Sequence, residues 1–105
     1  MGRKYDKLVR DDIPEIIEEN DETPQIHVAD GEEYARRLRA KLDEEVAEYH
    51  EDPSLGELAD ILEVVHALGE HHGVSAAELR RRREAKADER GRFADGIVLE
   101  RVSSE

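Results

Sequence analysis

Two amphipathic helical patterns separated by a single proline constrain the fold of this chain more than any other feature. From Gly31 to about His50 apolar residues recur at the spacing of one helix face, and Asp30 is placed to cap that helix. After Pro53, the Ser-x-x-Glu pattern at Ser54 begins a second helix that runs toward residue 72. Because so short a connection makes consecutive helices antiparallel neighbours, the sequence predicts a helical hairpin.

Shorter elements are predicted on both sides of this hairpin. Ser75 begins a third helix with the same capping pattern, and Gly91 ends it. A short helix is expected over residues 11–17, and the β-branched runs 25–28 and 96–102 have the composition of strands that could pair as a ribbon. We therefore predict a single domain over residues 1–105, mainly α, in which a helical hairpin or bundle carries a short terminal β-ribbon.

The composition excludes several classes of protein. Asp and Glu outnumber Lys and Arg by 28 to 16, and the formal charge of -12 disfavours nonspecific binding to nucleic acid or anionic lipid. No apolar run approaches the roughly 20 residues of a membrane helix, no apolar signal segment opens the sequence, and cysteine is absent. We expect a cytoplasmic protein with neither membrane nor nucleic-acid partners.

The distribution of the acidic residues suggests a further hypothesis about the source. They are dispersed along the chain, and Lys is rarer than Arg. A dispersed acidic surface keeps a protein soluble in strong salt, where screening shortens the reach of self-repulsion. The sequence thus indicates a halophilic source, with an ordinary acidic cytosolic protein as the alternative.

Four carboxylates on the predicted hairpin form the strongest chemical pattern. The first helix carries Glu45 and Glu48, the second carries Glu57 and Asp60, and each pair is spaced i, i+3. Residues equidistant from the connection lie at the same height, so Glu48 opposes Glu57. Glu45 opposes Asp60 in the same way. We call these four residues the carboxylate cluster.

A buried cluster of like charges is strongly destabilising unless a cation neutralises it. Donors that are all oxygen indicate Mg²⁺, with Mn²⁺ as a common substitute, and Mg²⁺ implies a phosphorylated substrate. The structural alternative is that each carboxylate is an ordinary helix residue, with Glu57 only closing its capping box. Glu44 projects away from the apolar stripe and is expected to be solvated or to act from outside the ligand set.

The third predicted helix is basic within an acidic chain. Seven Lys or Arg residues lie between Arg80 and Arg92, against three acidic ones. Arg82, Lys86 and Arg90 share one helix face and could contact phosphate oxygens, whereas the run 80–83 is expected to pair with acidic neighbours on the surface. Few aromatic residues interleave with these cations, which argues against nucleic-acid binding.

The hairpin motif resembles that of a known enzyme superfamily. Lys41-Leu42-Asp43-Glu44-Glu45-Val46-Ala47-Glu48 followed by Glu57-Leu58-Ala59-Asp60 is similar to the signature of the MazG-like all-alpha nucleoside triphosphate pyrophosphatases, which include phosphoribosyl-ATP pyrophosphohydrolase. The segments 7–11 and 86–93 resemble its small single-domain house-cleaning branch. Two residues depart from the pattern, since Asp12 stands where a Lys is usual and Arg92 where a Gly is frequent.

The resemblance implies an activity and a set of site residues. The activity is Mg²⁺-dependent hydrolysis of a nucleoside triphosphate between its α and β phosphates, on noncanonical nucleotides, giving a nucleoside monophosphate and pyrophosphate. The implied metal ligands are Glu45, Glu48, Glu57 and Asp60, the implied base is Glu44 or Glu48, and the phosphate contacts are Lys86, Arg90, Lys7 and Arg10.

The sequence leaves two alternative functions open and also predicts a homo-oligomer. The alternatives are a true phosphoribosyl-ATP pyrophosphohydrolase of histidine biosynthesis and a non-catalytic acidic helical interaction module. Members of the superfamily are dimers or tetramers, and the helix over residues 54–69 is apolar around too much of its circumference for a small lone bundle to cover. We expect a homodimer or a higher homo-oligomer.

Overall fold

A computed structural model describes residues 2–104, and within them the chain forms four helices. The helices are α1 (Ile13–Glu19), α2 (Gly31–Glu51), α3 (Leu55–His71) and α4 (Ala76–Arg90). Each predicted helix is thus confirmed, with boundaries shifted by at most a few residues. Among the residues described, no helix has the length and apolarity that crossing a membrane would require.

Serine caps set the start of two helices. The Ser54 hydroxyl accepts a hydrogen bond from the backbone N–H of Glu57 at 3.2 Å, at the start of α3. The Ser75 hydroxyl accepts the equivalent bond from Glu78, also at 3.2 Å, at the start of α4. Gly91 ends α4 at φ +84°, a conformation that favours glycine. The serine half of each predicted capping box is therefore confirmed, whereas within residues 2–104 neither serine N–H donates to the side chain of its glutamate.

The antiparallel hairpin of α2 and α3 contains the core. Leu38 of α2 is 2% exposed, and Val64 of α3 is also buried. Asp30 holds the predicted N-cap position of α2, but its side chain makes no capping hydrogen bond, so packing stabilises this helix more than its cap does. Arg37 binds the segment before α1 to the hairpin by donating to the backbone carbonyl of Asp6 at 2.8 Å.

The fourth helix, α4, packs against the end of α3 and buries none of its own residues. Leu79 lies over Gly69, in the last turn of α3. Arg81 and Arg82 both bind Glu78 on the surface of α4. For these two arginines, the expected pairing with acidic neighbours is confirmed.

The predicted β-ribbon is wrong, because the runs 25–28 and 96–102 form no strand anywhere in residues 2–104. Val28 and Ile97 are both largely exposed. A β-branched composition favours an extended backbone, but a ribbon also requires a partner strand at the correct register. Neither run finds that partner within the described part of the chain.

The chain exposes much more surface than a compact monomer of its size. Its accessible surface is 9569 Å², whereas a compact chain of this mass exposes about 6,000 Å². Its radius of gyration is 18.6 Å, against about 13 Å for a compact domain of this length. Exposed large apolar side chains contribute to the surplus, and Phe93 after α4 is 99% exposed.

Candidate metal centre

Three of the four residues in the carboxylate cluster converge near the short connection between α2 and α3. Glu45 of α2 and Glu57 and Asp60 of α3 each offer one carboxylate oxygen, and these oxygens lie within 4.8 Å of one another. The i, i+3 spacing places Glu57 and Asp60 on one face of α3. The short connection then brings Glu45 to the same height on α2, as the sequence predicts.

Glu45 is the most deeply buried of the three, with 6% of the residue exposed. Its Oε1 lies 3.2 Å from the ammonium nitrogen of Lys41, whereas its Oε2 is buried and accepts no hydrogen bond from the described residues. Oε2 of Glu57 is buried without a partner as well. Because an unpartnered buried carboxylate oxygen is costly, a cation among these oxygens would remove a real penalty. The donor set fits a hard divalent cation.

Glu48 lies beside the three converging residues and is not one of them. Its pKa is raised, first by the neighbouring Glu45 carboxylate, beside which the protonated form of Glu48 is favoured, and then by burial and by the charge of Glu57. The pKa of Glu57 is also raised, first by burial and then by the charges of Asp60 and Glu45. Both shifts have the same sign because ionising one more carboxylate in an acidic cluster is unfavourable.

Glu44 has a different environment, because both of its carboxylate oxygens are bound by lysines. Lys7 donates to Oε1 at 2.6 Å and Lys41 donates to Oε2 at 2.6 Å. Partial burial opposes ionisation of Glu44, but these two hydrogen bonds outweigh it, so its pKa is lowered. A carboxylate with a lowered pKa and two occupied oxygens is a poor proton acceptor, which makes Glu48 the better candidate for a general base.

Lys41 is a component of the site that the sequence analysis did not single out. Its ammonium group binds both Glu44 and Glu45, and its side chain is mostly buried. Burial opposes the charge on Lys41, but the hydrogen bonds to the two glutamates outweigh that effect and raise its pKa. The signal was present, since Glu44 and Glu45 follow Lys41 at the i+3 and i+4 positions where helical ion pairs form.

The segment before α1, residues 6–12, crosses the carboxylate cluster, and we call it the N-terminal segment. Arg10 donates to Oδ1 of Asp60 at 2.7 Å, and Lys7 binds Glu44. Both cations were predicted as phosphate contacts, and the structure places them against carboxylates at the edge of the cluster. Each would therefore lie close to a phosphate bound at the cluster.

Lys86 and Arg90, the other predicted phosphate contacts, lie on α4. The helix contacts of α4 in the described part of the chain are with α3 alone, and Leu79 packs over the last turn of α3. Glu57 and Asp60 lie in the first two turns, at the opposite end of α3. No contact of α4 within one described chain brings Lys86 or Arg90 against the carboxylates.

A cleft of about 620 Å³ opens beside the cluster. One wall is the N-terminal segment together with α1, and the other is the α2–α3 hairpin. Glu45 and Asp60 line it, and so do the buried side chains of Leu38 and Val64. The cleft thus joins the carboxylates to the edge of the hydrophobic core.

Comparison with known proteins gives one partial match. An uncharacterized protein from Mycolicibacterium smegmatis is 55% identical over 42 residues, which make up 40% of this chain and 43% of that protein. The chain therefore matches less than half the length of this curated relative. No protein-family model matches the sequence, and no solved structure matches it either.

Proposed function

We propose that this chain is a Mg²⁺-dependent nucleoside triphosphate pyrophosphohydrolase. It would cleave the bond between the α and β phosphates of noncanonical nucleotides, giving a nucleoside monophosphate and pyrophosphate. The observation that carries the proposal is the buried Oε2 of Glu45, which has no hydrogen-bond partner within residues 2–104, in a residue that converges with Glu57 and Asp60. The resemblance of the surrounding motif to MazG-like enzymes supports the choice of substrate.

The local charges favour a single divalent ion before substrate binds. Besides the carboxylate cluster, the site contains Glu44 and three cations, Lys7, Arg10 and Lys41. Five carboxylates against three cations leave two negative charges, which one divalent ion neutralises. A second ion would then enter only with the phosphates of a substrate, which bring further negative charge.

The residues around the cluster have distinct roles in this proposal. When bound, Mg²⁺ supplies charge neutralisation for the phosphates and lowers the pKa of the attacking water. Glu48 accepts the proton of that water at a carboxylate oxygen, because it lies beside Glu45 and Glu57 and, unlike Glu44, is bound by no lysine of the described chain. Lys41 holds Oε1 of Glu45, so Oε2, which has no partner among the described residues, would be the oxygen that binds the ion. Lys7 and Arg10 lie at the edge of the cluster and contact the phosphates.

We also propose that the active form is a homodimer or a higher homo-oligomer in the cytoplasm. The surplus surface of this chain, about 3,600 Å² over a compact monomer, exceeds the roughly 1,000 to 2,500 Å² that each subunit contributes to an obligate interface. Leu55, Leu58 and Leu62 recur on one face of α3 and are exposed. In such an assembly Lys86 and Arg90 would reach the phosphates of a neighbouring copy.

A nucleotide panel tests the function directly. Canonical and noncanonical nucleoside triphosphates, together with phosphoribosyl-ATP, are assayed for pyrophosphate release with Mg²⁺ and with a chelator. We expect Mg²⁺-dependent release from a noncanonical triphosphate and its loss in Glu48→Ala and Asp60→Ala. Asp43→Ala removes an exposed carboxylate from α2, the helix that carries Glu48, and serves as the matched control.

The outcomes separate the three candidate functions. Release from phosphoribosyl-ATP alone would favour the enzyme of histidine biosynthesis. A chain that releases pyrophosphate from no substrate on the panel would favour the non-catalytic interaction module. Full activity in Glu48→Ala and Asp60→Ala would contradict the proposed roles of both residues.

A further inference from the structure

The cleft beside the carboxylate cluster has carboxylates of the cluster at one end and a mixture of apolar and acidic side chains along the rest of its length. Glu45 and Asp60 line the end at the cluster, while Leu38, Val64 and Ala67 line the part that follows along the hairpin. We infer that this cleft binds the nucleoside half of a nucleoside triphosphate whose phosphates lie at the cluster. The inference rests on the proposed function and adds the place and the chemistry of nucleoside recognition.

The charges around the cleft determine which half of a nucleotide can enter it. Four further carboxylates line it, those of Asp11, Asp12, Glu63 and Glu70. They would repel a phosphate chain but not an uncharged sugar and base. Its two cations, Lys41 and Arg10, are already bound to carboxylates of the cluster and lie at that end. The neutral part of the ligand therefore occupies the cleft and the charged part stays at the cluster.

The interior of the cleft offers apolar surface from both walls. Leu38 and Val64 come from the core of the hairpin, and Val9 and Ile13 face them from the N-terminal segment and α1. Tyr34 adds an aromatic ring to the hairpin wall. A nucleobase is flat and largely apolar on its faces, and ligand sites of this volume bind such groups between hydrophobic side chains.

The order of residues along α3 matches the order of groups in a nucleotide. Asp60 belongs to the cluster, Val64 follows it by about one helical turn, and Ala67 follows by about two. A phosphate held by a divalent ion at the cluster, beside Asp60, would thus direct the attached sugar and base along the wall formed by Val64 and Ala67. The small side chain of Ala67 leaves room there, which a larger residue would fill.

A calorimetric experiment isolates the nucleoside half of the ligand. An α,β-methylene analogue of a nucleoside triphosphate, which cannot be cleaved between its α and β phosphates, is titrated into the full chain in saturating Mg²⁺. Tripolyphosphate, which has the same phosphates without a nucleoside, is titrated in parallel. We expect the analogue to bind the wild-type chain about tenfold more tightly or better.

Filling the cleft should remove that advantage. In Ala67→Phe the analogue and tripolyphosphate should bind equally, while the affinity for Mn²⁺ alone stays unchanged. Ala77→Phe, an exposed position on α4, is the matched control and should keep the wild-type preference. Should Ala67→Phe fail to fold, Ile16→Ser removes apolar surface from the opposite wall and should lower the preference several-fold.

The outcomes distinguish this inference from the function on which it rests. Equal binding of the two ligands to the wild-type chain, or an undiminished preference in Ala67→Phe and in Ile16→Ser, would overturn the nucleoside site alone. A wild-type chain that binds neither ligand would overturn the proposed function, and the inference with it.

Discussion

Glu57 and Glu78 occupy the same position in two capping boxes and yet have opposite chemistry. Each follows its N-cap serine by three residues, and each donates a backbone hydrogen bond to that serine at 3.2 Å. Burial and the charges of Asp60 and Glu45 raise the pKa of Glu57. By contrast, hydrogen bonds from neighbouring arginines lower the pKa of Glu78.

The difference comes from tertiary contacts, because the local sequence pattern is the same in both helices. The first turn of α3 packs against an acidic stretch of α2, so a carboxylate there adds to existing negative charge. The first turn of α4 places Glu78 beside Arg81 and Arg82 of its own helix. A capping box thus fixes where a helix begins, while its neighbours decide whether the glutamate stabilises the fold or is available to a ligand.

Neutralising each glutamate gives the largest expected contrast. Glu57→Gln removes a proposed metal ligand and should lower the affinity for Mn²⁺ and the rate of pyrophosphate release by about 100-fold. Glu78→Gln should change neither, because its partners are surface arginines. Mn²⁺ titration calorimetry and the pyrophosphate assay measure both effects. If Glu57→Gln and Glu78→Gln had the same Mn²⁺ affinity and the same rate of pyrophosphate release, the proposed difference between α3 and α4 would be contradicted.

A charge on the exposed face of α3 tests whether the chain forms an oligomer through this face and whether activity requires a second copy. Leu62→Glu should shift the mass measured by light scattering from that of an oligomer to that of one chain, since a carboxylate cannot be buried unpaired at an interface. Ala77→Glu places the same charge on α4 and should keep the assembly. Activity should fall with the mass if Lys86 and Arg90 act across the interface. A wild-type mass of one chain would contradict the proposed assembly.

The two glutamates also predict opposite dependences of stability on pH when metal is chelated. Because the folded-state pKa of Glu57 is raised above 4.5, its ionisation destabilises the fold as pH rises from 4.5 through that higher value. The folded-state pKa of Glu78 is lowered, so its contribution is fully present above 4.5 and is lost as pH falls through the lower value.

Urea unfolding of both variants across this range measures the contrast. Relative to the wild-type chain, Glu57→Gln should gain stability as pH rises above 4.5. Glu78→Gln should instead lose stability relative to the wild-type chain as pH rises toward 4.5 from below, and its deficit should stay constant above 4.5. Adding Mn²⁺ should abolish the advantage of Glu57→Gln by stabilising only the wild-type chain. Parallel curves for the two variants would show that their environments are equivalent.

Removing the two caps gives the smallest expected effect. Ser54→Ala and Ser75→Ala should each cost about 1 kcal/mol of helix stability, because each loses the same hydrogen bond. Only Ser54→Ala should weaken Mn²⁺ binding, by a few-fold, since α3 positions Glu57 and Asp60. A matching loss of Mn²⁺ affinity in Ser75→Ala would contradict the separation of the two regions.

The helices were predictable because their boundaries are local. The serine caps, Pro53 and Gly91 set helix boundaries through short-range hydrogen bonds and steric limits, and the structure contains all of them. The β-ribbon was not predictable in the same way. Strand pairing depends on distant contacts, and the residues around Ile26 and Ile97 make none that form a ladder within the described chain.

The candidate site was predictable in its carboxylates and less so in its cations. Helical spacing and the length of the connection were enough to bring Glu45 to Glu57 and Asp60. The contacts of Lys7 and Arg10 depend on how an irregular segment crosses the hairpin, which no periodic pattern encodes. Helix geometry therefore explains why the three carboxylates converge. The positions of Lys7 and Arg10, which offset part of their negative charge, depend on the tertiary structure.

The most direct test of the metal centre is a crystal of the chain grown or soaked with Mn²⁺, measured for anomalous scattering. The proposed site predicts one strong anomalous peak within coordination distance of oxygens from Glu45, Glu57 and Asp60, at about 2.0 to 2.1 Å as for Mg²⁺. Mn²⁺ bound only elsewhere, or carboxylates that turn outward with no peak between them, would contradict it.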